Sequence, residues 1–139
     1  MSAAALMLPL IGWREGVHLP GLRAGELIAK IDTGARTAAL HADDIAVSGR
    51  RVAFRLGTRW HELPLKSQRR VKNSSGGSET RAVIETEIKI GAYRFAAEIS
   101  LTDRTDMGVP MLIGRATIRG RFLVHPGRAF ILTHRPKPP

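Results

Sequence analysis

The tetrapeptide Asp32-Thr33-Gly34-Ala35, entered from the β-type stretch Ala29-Lys30-Ile31, has the residue types of half an active centre. An Asp on a tight turn at a strand end, beside a Thr hydroxyl and a Gly that admits close backbone, can serve as one member of a carboxylate pair. Two carboxylates brought together cannot both ionise. They share a proton, so that one draws a proton from water while the other donates to a scissile carbonyl. Taken alone, the triplet also describes an ordinary capped turn. A second element lies downstream: Val109-Pro110-Met111-Leu112-Ile113-Gly114-Arg115 reads as an apolar strand that ends in Gly-Arg and enters a short helix. Between the two stands the glycine-rich stretch Asn73 to Ser78.

Other chemistries lack their residues. There is no Cys, which removes disulfides, thiolate catalysis and cysteine-based metal sites. No phosphate-cradling G-x-x-x-x-G-K-[ST] loop occurs, so nucleotide use is not expected. His61-Glu62 has no second His four residues on, and His41 with Asp43 and Asp44 lacks ligand spacing, so neither a metal nor any other cofactor is expected. The balance of 22 Lys plus Arg against 12 Asp plus Glu gives a net charge of +10, and 17 of the basic residues are Arg. Guanidinium forks suit carboxylates and phosphates, so the partner is either nucleic acid or an acidic polypeptide, unless the charge is simply a solvated face. Arg69-Arg70-Val71-Lys72 and Arg115 to Arg121 are the basic clusters a nucleic acid would use. Aromatic residues are only 5% and Phe54, Phe95, Phe122 and Phe130 sit like core residues, so nucleic acid is the weaker reading.

The elements that must position these residues are short strands. A length of 139 residues allows one domain, expected over 1–134, with Arg135 to Pro139 a disordered, basic, Pro-rich tail. Strands are expected over Leu6 to Trp13, Val17 to Leu19, Glu26 to Ile31, Ile45 to Val47, Arg51 to Leu56 and Arg59 to Leu63. The apolar start, Met1 to Ile11, is too short to span a bilayer and has no basic residue ahead of it, which predicts a strand in a cytoplasmic protein with no membrane partner. Period-two alternation over Arg81 to Ile90 predicts a strand with one buried face, turned by Gly91-Ala92 into Tyr93 to Leu101. Asn73 to Ser78 predicts a hairpin tip in solvent. One helix is expected, Arg115 to Arg119, followed by strands at Phe122 to Val124 and Ala129 to Leu132.

The order Asp32-Thr33-Gly34-Ala35, glycine-rich tip, Leu112-Ile113-Gly114-Arg115 resembles retroviral-type aspartic proteases. More closely, Gly12-Trp13-Arg14-Glu15, Lys30 to Thr37, Ala39-Leu40-His41-Ala42 and Met111 to Val124 resemble a small bacterial retropepsin-like family, often labelled "ATP-dependent zinc protease" and associated with glutamate ligases that act on ribosomal proteins. The resemblance covers roughly Leu8 to Leu132. It implies an all-β, retropepsin-like closed β-barrel with a flap hairpin and one short C-terminal helix.

It also implies a homodimer, because one chain supplies one D-T-G, with the two Asp32 carboxylates about 3 Å apart on a twofold axis. In that arrangement Asp32, Thr33 and Gly34 are the catalytic set. Ala35, Arg36, Ser75, Gly76, Gly77 and Arg115 line the substrate. Arg36 stands where retroviral enzymes usually carry the Asp that pairs with the Arg of Gly-Arg, so Arg36 and Arg115 cannot pair with one another. Each then needs either an internal carboxylate, with Asp43, Asp44, Glu98 or Asp103 available, or a carboxylate of the substrate. The second answer points to acidic peptides, including the glutamate tail of a ribosomal protein. A different class of function stays open at this point: a catalytically silent basic module that binds an acidic protein or RNA.

Overall fold

The computed structural model describes residues 7–72 and 76–135. Its strands in chain order are β1 (Leu10–Gly12), β2 (Arg14–Leu19), β3 (Ala24–Asp32), β4 (Ala38–His41), β5 (Asp43–Ser48), β6 (Arg51–Leu56), β7 (Arg59–Pro64), β8 (Ser67–Lys72), β9 (Ser78–Ile90), β10 (Tyr93–Thr102), β11 (Met111–Gly114) and β12 (Leu123–His125). A single α-helix among the described residues, α1 (Arg115–Ile118), follows β11, and one-turn 3-10 helices occupy Pro20–Leu22 and Thr105–Met107.

Six strands close a barrel in the order β10-β4-β11-β3-β2-β9, with β9 pairing back to β10. The alternation over 81–90 builds the longest wall of this ring. Ile84, Ile88 and Ile90 are fully buried while Glu85 and Lys89 face out. They meet Val17, Leu19, Ala29, Leu40, Ile99, Leu101, Met111 and Ile113 in one apolar interior, each fully buried aliphatic side chain contributing about 1.5–3 kcal/mol. Gly91 makes the β9–β10 turn at φ +60°, and a Cβ there would lie 2.8 Å from the Leu132 carbonyl oxygen, so the turn and the chain end pack backbone to backbone. Outside the ring, β8 extends β9 as a hairpin arm, β5-β6-β7 form a separate antiparallel sheet, and β1 pairs in parallel with β12.

The all-β barrel and its one short helix agree with the sequence reading, but several elements differ. Among its described residues the apolar start yields a strand over Leu10–Gly12. Arg14 and Glu15, which fall between the strands expected over Leu6 to Trp13 and Val17 to Leu19, begin β2. Two strands were not expected: β4 is a short buried run without alternation, and the basic stretch Ser67–Lys72 is a strand paired to β9. The strand expected over Ala129 to Leu132 does not form. The reason is Glu15, whose carboxylate is fully buried. It accepts hydrogen bonds from the backbone N–H groups of Gly12 (2.8 Å), Ile131 (3.0 Å), Leu132 (3.1 and 3.2 Å) and Thr133 (3.0 Å), and from the Thr133 hydroxyl (2.7 Å). Three successive N–H groups aimed at one carboxylate cannot also run a strand ladder. Residues 1–6 of the apolar start, Asn73 to Ser75 of the hairpin tip and residues 136–139 of the expected tail lie outside the described residues.

Candidate active site

Strand β3 delivers Asp32 at its last position, and the turn that follows folds back on the carboxylate. Oδ1 of Asp32 accepts hydrogen bonds from the N–H groups of Gly34 (3.0 Å) and Ala35 (3.2 Å). Asp and Asn favour such turns because a short side-chain oxygen reaches the N–H two residues on. Among the described residues the other oxygen, Oδ2, makes no hydrogen bond, and the side chain is half-buried. Thr33 and Gly34 are exposed beside it.

The turn is held from below by the Leu112-Ile113-Gly114-Arg115 element. Strand β11 lies between β3 and β4, parallel to the first and antiparallel to the second, and Gly114 is in register with Asp32. A Cβ on Gly114 would fall 2.6–2.9 Å from the Thr37 backbone, so only glycine allows this approach. The first N–H groups of α1 then close on the loop, Arg115 donating to the Ala35 carbonyl (2.7 Å) and Ala116 to the Arg36 carbonyl (3.0 Å). Nη1 of Arg115 donates to the Thr33 carbonyl (3.0 Å). The residues named from sequence as Asp32 to Arg36 and Arg115 are therefore one assembly.

Of the two alternatives for Arg36 and Arg115, the internal carboxylate is not found among the described residues. Both are exposed, and neither makes an ion pair among the described residues. Asp44 pairs with Arg55 at 3.0 Å and Glu98 with Arg69 at 3.4 Å. Of the tip residues, Gly76 and Gly77 stand exposed at the end of the β8–β9 hairpin, and Ser75 lies outside the described residues.

Two residues of the site's surroundings escaped the sequence reading. Glu15 carries the end of the chain, as described above. Arg69, seen in sequence only as part of a basic cluster, donates to the Thr37 hydroxyl (3.0 Å) and to Glu98, tying the β8 arm to the loop that continues from Asp32. Alternation of Ser67 to Lys72 was the available signal, hidden by charge on both faces.

Among the described residues no three His, Asp or Glu side chains converge in a way that could hold a metal ion. His41 approaches Asp43 at 3.5 Å, whereas His61 stacks on Phe54 with ring centroids 5.5 Å apart. Burial first, then the charges of Arg59 and Arg23, lower the His61 pKa from the ordinary histidine value. Its Nε2 is buried without a hydrogen-bond partner. The folded state thus prefers the neutral ring, and the unfolded chain binds the proton more readily. The contribution of His61 to stability is complete above the ordinary histidine pKa and is lost as pH falls from there through the lower folded-state value. His61→Phe is expected to flatten the stability-against-pH curve in that window, measured by urea unfolding at a series of pH values. An unchanged slope would place its origin elsewhere.

Comparison with known proteins adds three findings. Residues 10–135 match the family described as "RimB-like: Retropepsin-like aspartic endopeptidase RimB". A protein of Parasynechococcus marenigrum named "Probable alpha-L-glutamate ligase" is 36% identical over 129 residues, which cover 84% of this chain and 28% of that protein. One of the same name from Shewanella pealeana is 33% identical over 135 residues, covering 88% and 30%. The chain thus spans less than a third of the length of these relatives. A crystal structure of a Legionella pneumophila protein of unknown function superposes with a TM-score of 0.74 at 28% identity, covering 89% of this chain and 98% of that one. Among the described residues no helix is long and apolar enough to cross a membrane.

Proposed function

The chain belongs to the RimB-like family of retropepsin-like aspartic endopeptidases, and from that membership we propose that it is an aspartic peptidase that works as a homodimer on acidic, glutamate-rich polypeptides. The observation that carries the reading is the Asp32 turn. Among the described residues it leaves one carboxylate oxygen without a hydrogen bond at a strand end, while the loop around it is pinned by β11 and the start of α1. One chain offers one such turn, so two copies must meet on a twofold axis for their Asp32 side chains to share a proton. The ionised Asp32 then takes a proton from water, the resulting hydroxide equivalent attacks the peptide carbonyl, and the protonated Asp32 donates to its oxygen. Collapse of the tetrahedral intermediate passes a proton to the leaving amine and restores the shared state. Exposed Thr33 is free to lock the two turns together across the axis, and Gly34 to bring backbone to the substrate. The hairpin that ends in Gly76 and Gly77 would cover the cleft and exclude water.

Two features support an acidic substrate. Arg36 and Arg115 flank the turn without internal carboxylates among the described residues, on a chain of net charge +10. The homologous segment also occurs within longer proteins named as glutamate ligases, and a peptidase that cuts glutamate chains is the chemical counterpart of an enzyme that adds glutamate. A ribosomal protein bearing such a tail is one substrate of this class. The test is to incubate the protein with a poly-α-glutamate-tailed peptide and with a neutral peptide and read the products by mass spectrometry. Cleavage of the tailed peptide is expected; no cleavage of either would return the chain to a silent basic binding module.

Specificity gives a finer test. Losing one charge-assisted contact costs about 1.4 kcal/mol, or a factor of ten. Arg36→Ala is accordingly expected to raise the KM for glutamate-rich peptides about tenfold with little change for neutral ones. An equal effect on both would make Arg36 a structural residue.

A further inference from the structure

Beside the Asp32 loop the surface sinks into a concavity of about 270 Å³, enclosed by the Arg36 loop, Arg69 of the β8 arm, Glu98 of β10 and Arg121 just after α1. We propose that this concavity is a carboxylate-binding subsite in which Arg69 exchanges the internal Glu98 for an acidic side chain of the substrate. The proposal rests on the reading of the chain as a peptidase for acidic substrates and names the residues that recognise the acid.

Three arguments lead to it. The first concerns an electrostatic conflict built into the wall. Glu85 of β9 and Glu98 of β10 are direct cross-strand partners, and both border the concavity. Like charges placed opposite one another across a sheet are destabilising, so this wall requires cations in front of it. The second concerns the cations. Three guanidinium groups border the concavity, yet they make one ion pair there among the described residues, Arg69 to Glu98. Arg36 has no ion pair among them. The Arg121 guanidinium sits over the Phe95 ring, 4.4 Å from its centroid, and donates to the Thr117 carbonyl (3.1 Å) rather than to a carboxylate.

The third concerns how loosely Glu98 is held. Its contact with Arg69 is 3.4 Å, longer than the usual charge-assisted bond of about 2.7–2.9 Å. Both side chains are more than a third exposed, at 37% and 38%, so water weakens the pair. By contrast, the bond from Arg69 to the Thr37 hydroxyl is 3.0 Å. Arg69 is thus anchored through Thr37 and weakly committed through Glu98. An incoming carboxylate can take the place of Glu98 while the Thr37 anchor stays, with Arg36 as its second partner. Glu98 plays the part of the ligand until one arrives. Because Arg69 belongs to the hairpin arm and Thr37 to the catalytic loop, the exchange also joins the arm and the loop on the substrate.

The two partners of one ion pair are then expected to affect binding with opposite signs, which a purely structural pair would not do. Binding is measured on the hydrolysis-disabled Asp32→Asn protein, by fluorescence anisotropy, with a labelled glutamate-rich peptide and its glutamine counterpart. Adding Arg69→Gln is expected to weaken the acidic peptide about tenfold, and Glu98→Gln to tighten it about threefold, with the neutral peptide unmoved. Arg69→Lys, which keeps the charge and loses the fork, falls between. Weakening by both Arg69→Gln and Glu98→Gln, equal effects on both peptides, or no preference for the acidic peptide at all would each overturn the subsite. If the acidic peptide binds with this pattern while the wild-type protein cleaves nothing, the peptidase reading fails and the subsite stands.

Discussion

Asp32→Asn is expected to lower peptide hydrolysis by at least about 10³-fold while leaving the folded protein nearly unchanged. Asn has the same shape as Asp and keeps the Oδ1 acceptor that holds the N–H groups of Gly34 and Ala35. The loop pinned by Arg115, Ala116 and Gly114 therefore has no reason to move, and the melting temperature should shift by no more than a few degrees. What disappears is the shared proton, because an amide neither takes a proton from water nor passes one to a carbonyl oxygen. The dimer adds a quantitative consequence. Each site would need Asp32 from both copies, so a wild-type chain that pairs with an Asp32→Asn chain loses its activity as well. Mixing wild-type and variant chains in equal amounts and allowing exchange should leave about a quarter of the dimers active rather than a half. Full activity of Asp32→Asn would end the assignment. A linear loss on mixing would show that each chain works alone.

The largest stability effect is expected at Glu15, on the strand beside β3. Its carboxylate is fully buried and serves four backbone N–H groups and one hydroxyl. Glu15→Gln keeps the volume but places an NH₂ where two of those donors point, so donors face donors in a site closed to solvent. Leaving buried donors unsatisfied costs about 1–3 kcal/mol each. A loss of about 3 kcal/mol or more is therefore expected, with a fall in Tm of about 10 °C for a domain of this size. Urea unfolding of the two proteins measures it. A difference under about 1 kcal/mol would mean that the 131–133 segment finds other acceptors and that Glu15 does not hold the chain end.

These residues also show how far the sequence could be read. Strand β9 was legible because its inward residues are apolar and most of its outward ones polar, and β6 and β7 because Gly57-Thr58 marks their turn. The Asp32 loop was legible because an Asp-Thr-Gly turn and a Gly-Arg strand end depend on local residue types. What stayed hidden depended on partners distant in sequence. Strand β4 is four residues enclosed between β10 and β11, so alternation had no room to show. Strand β8 carries Arg69, Arg70 and Lys72, whose charge suggested a solvated patch rather than a hairpin arm. The run from Ala129 to Leu132 has strand composition, yet its last two N–H groups, those of Ile131 and Leu132, are taken by a glutamate that no pattern near residue 130 announces. Arg36 was singled out by its position after the Asp32 turn, but its exposure, and the absence of an ion pair to it among the described residues, became visible only in the folded chain.

The insertion of β11 between β3 and β4 has a consequence in time. A ribosome delivers Asp32 together with β3 and β4, the two strands that will flank β11, well before Gly114 and the amides of Arg115 and Ala116. Until then β3 and β4 have no strand between them, and the Asp32 turn lacks the contacts that hold its carbonyls. Parallel pairings between distant segments, β11 with β3 and β12 with β1, are also the slow step expected of such a topology. Growing chains would thus carry Asp32 before its turn is held in place. Under the proposed peptidase reading, a chain of this topology stays inert until β11 and the start of α1 have been made.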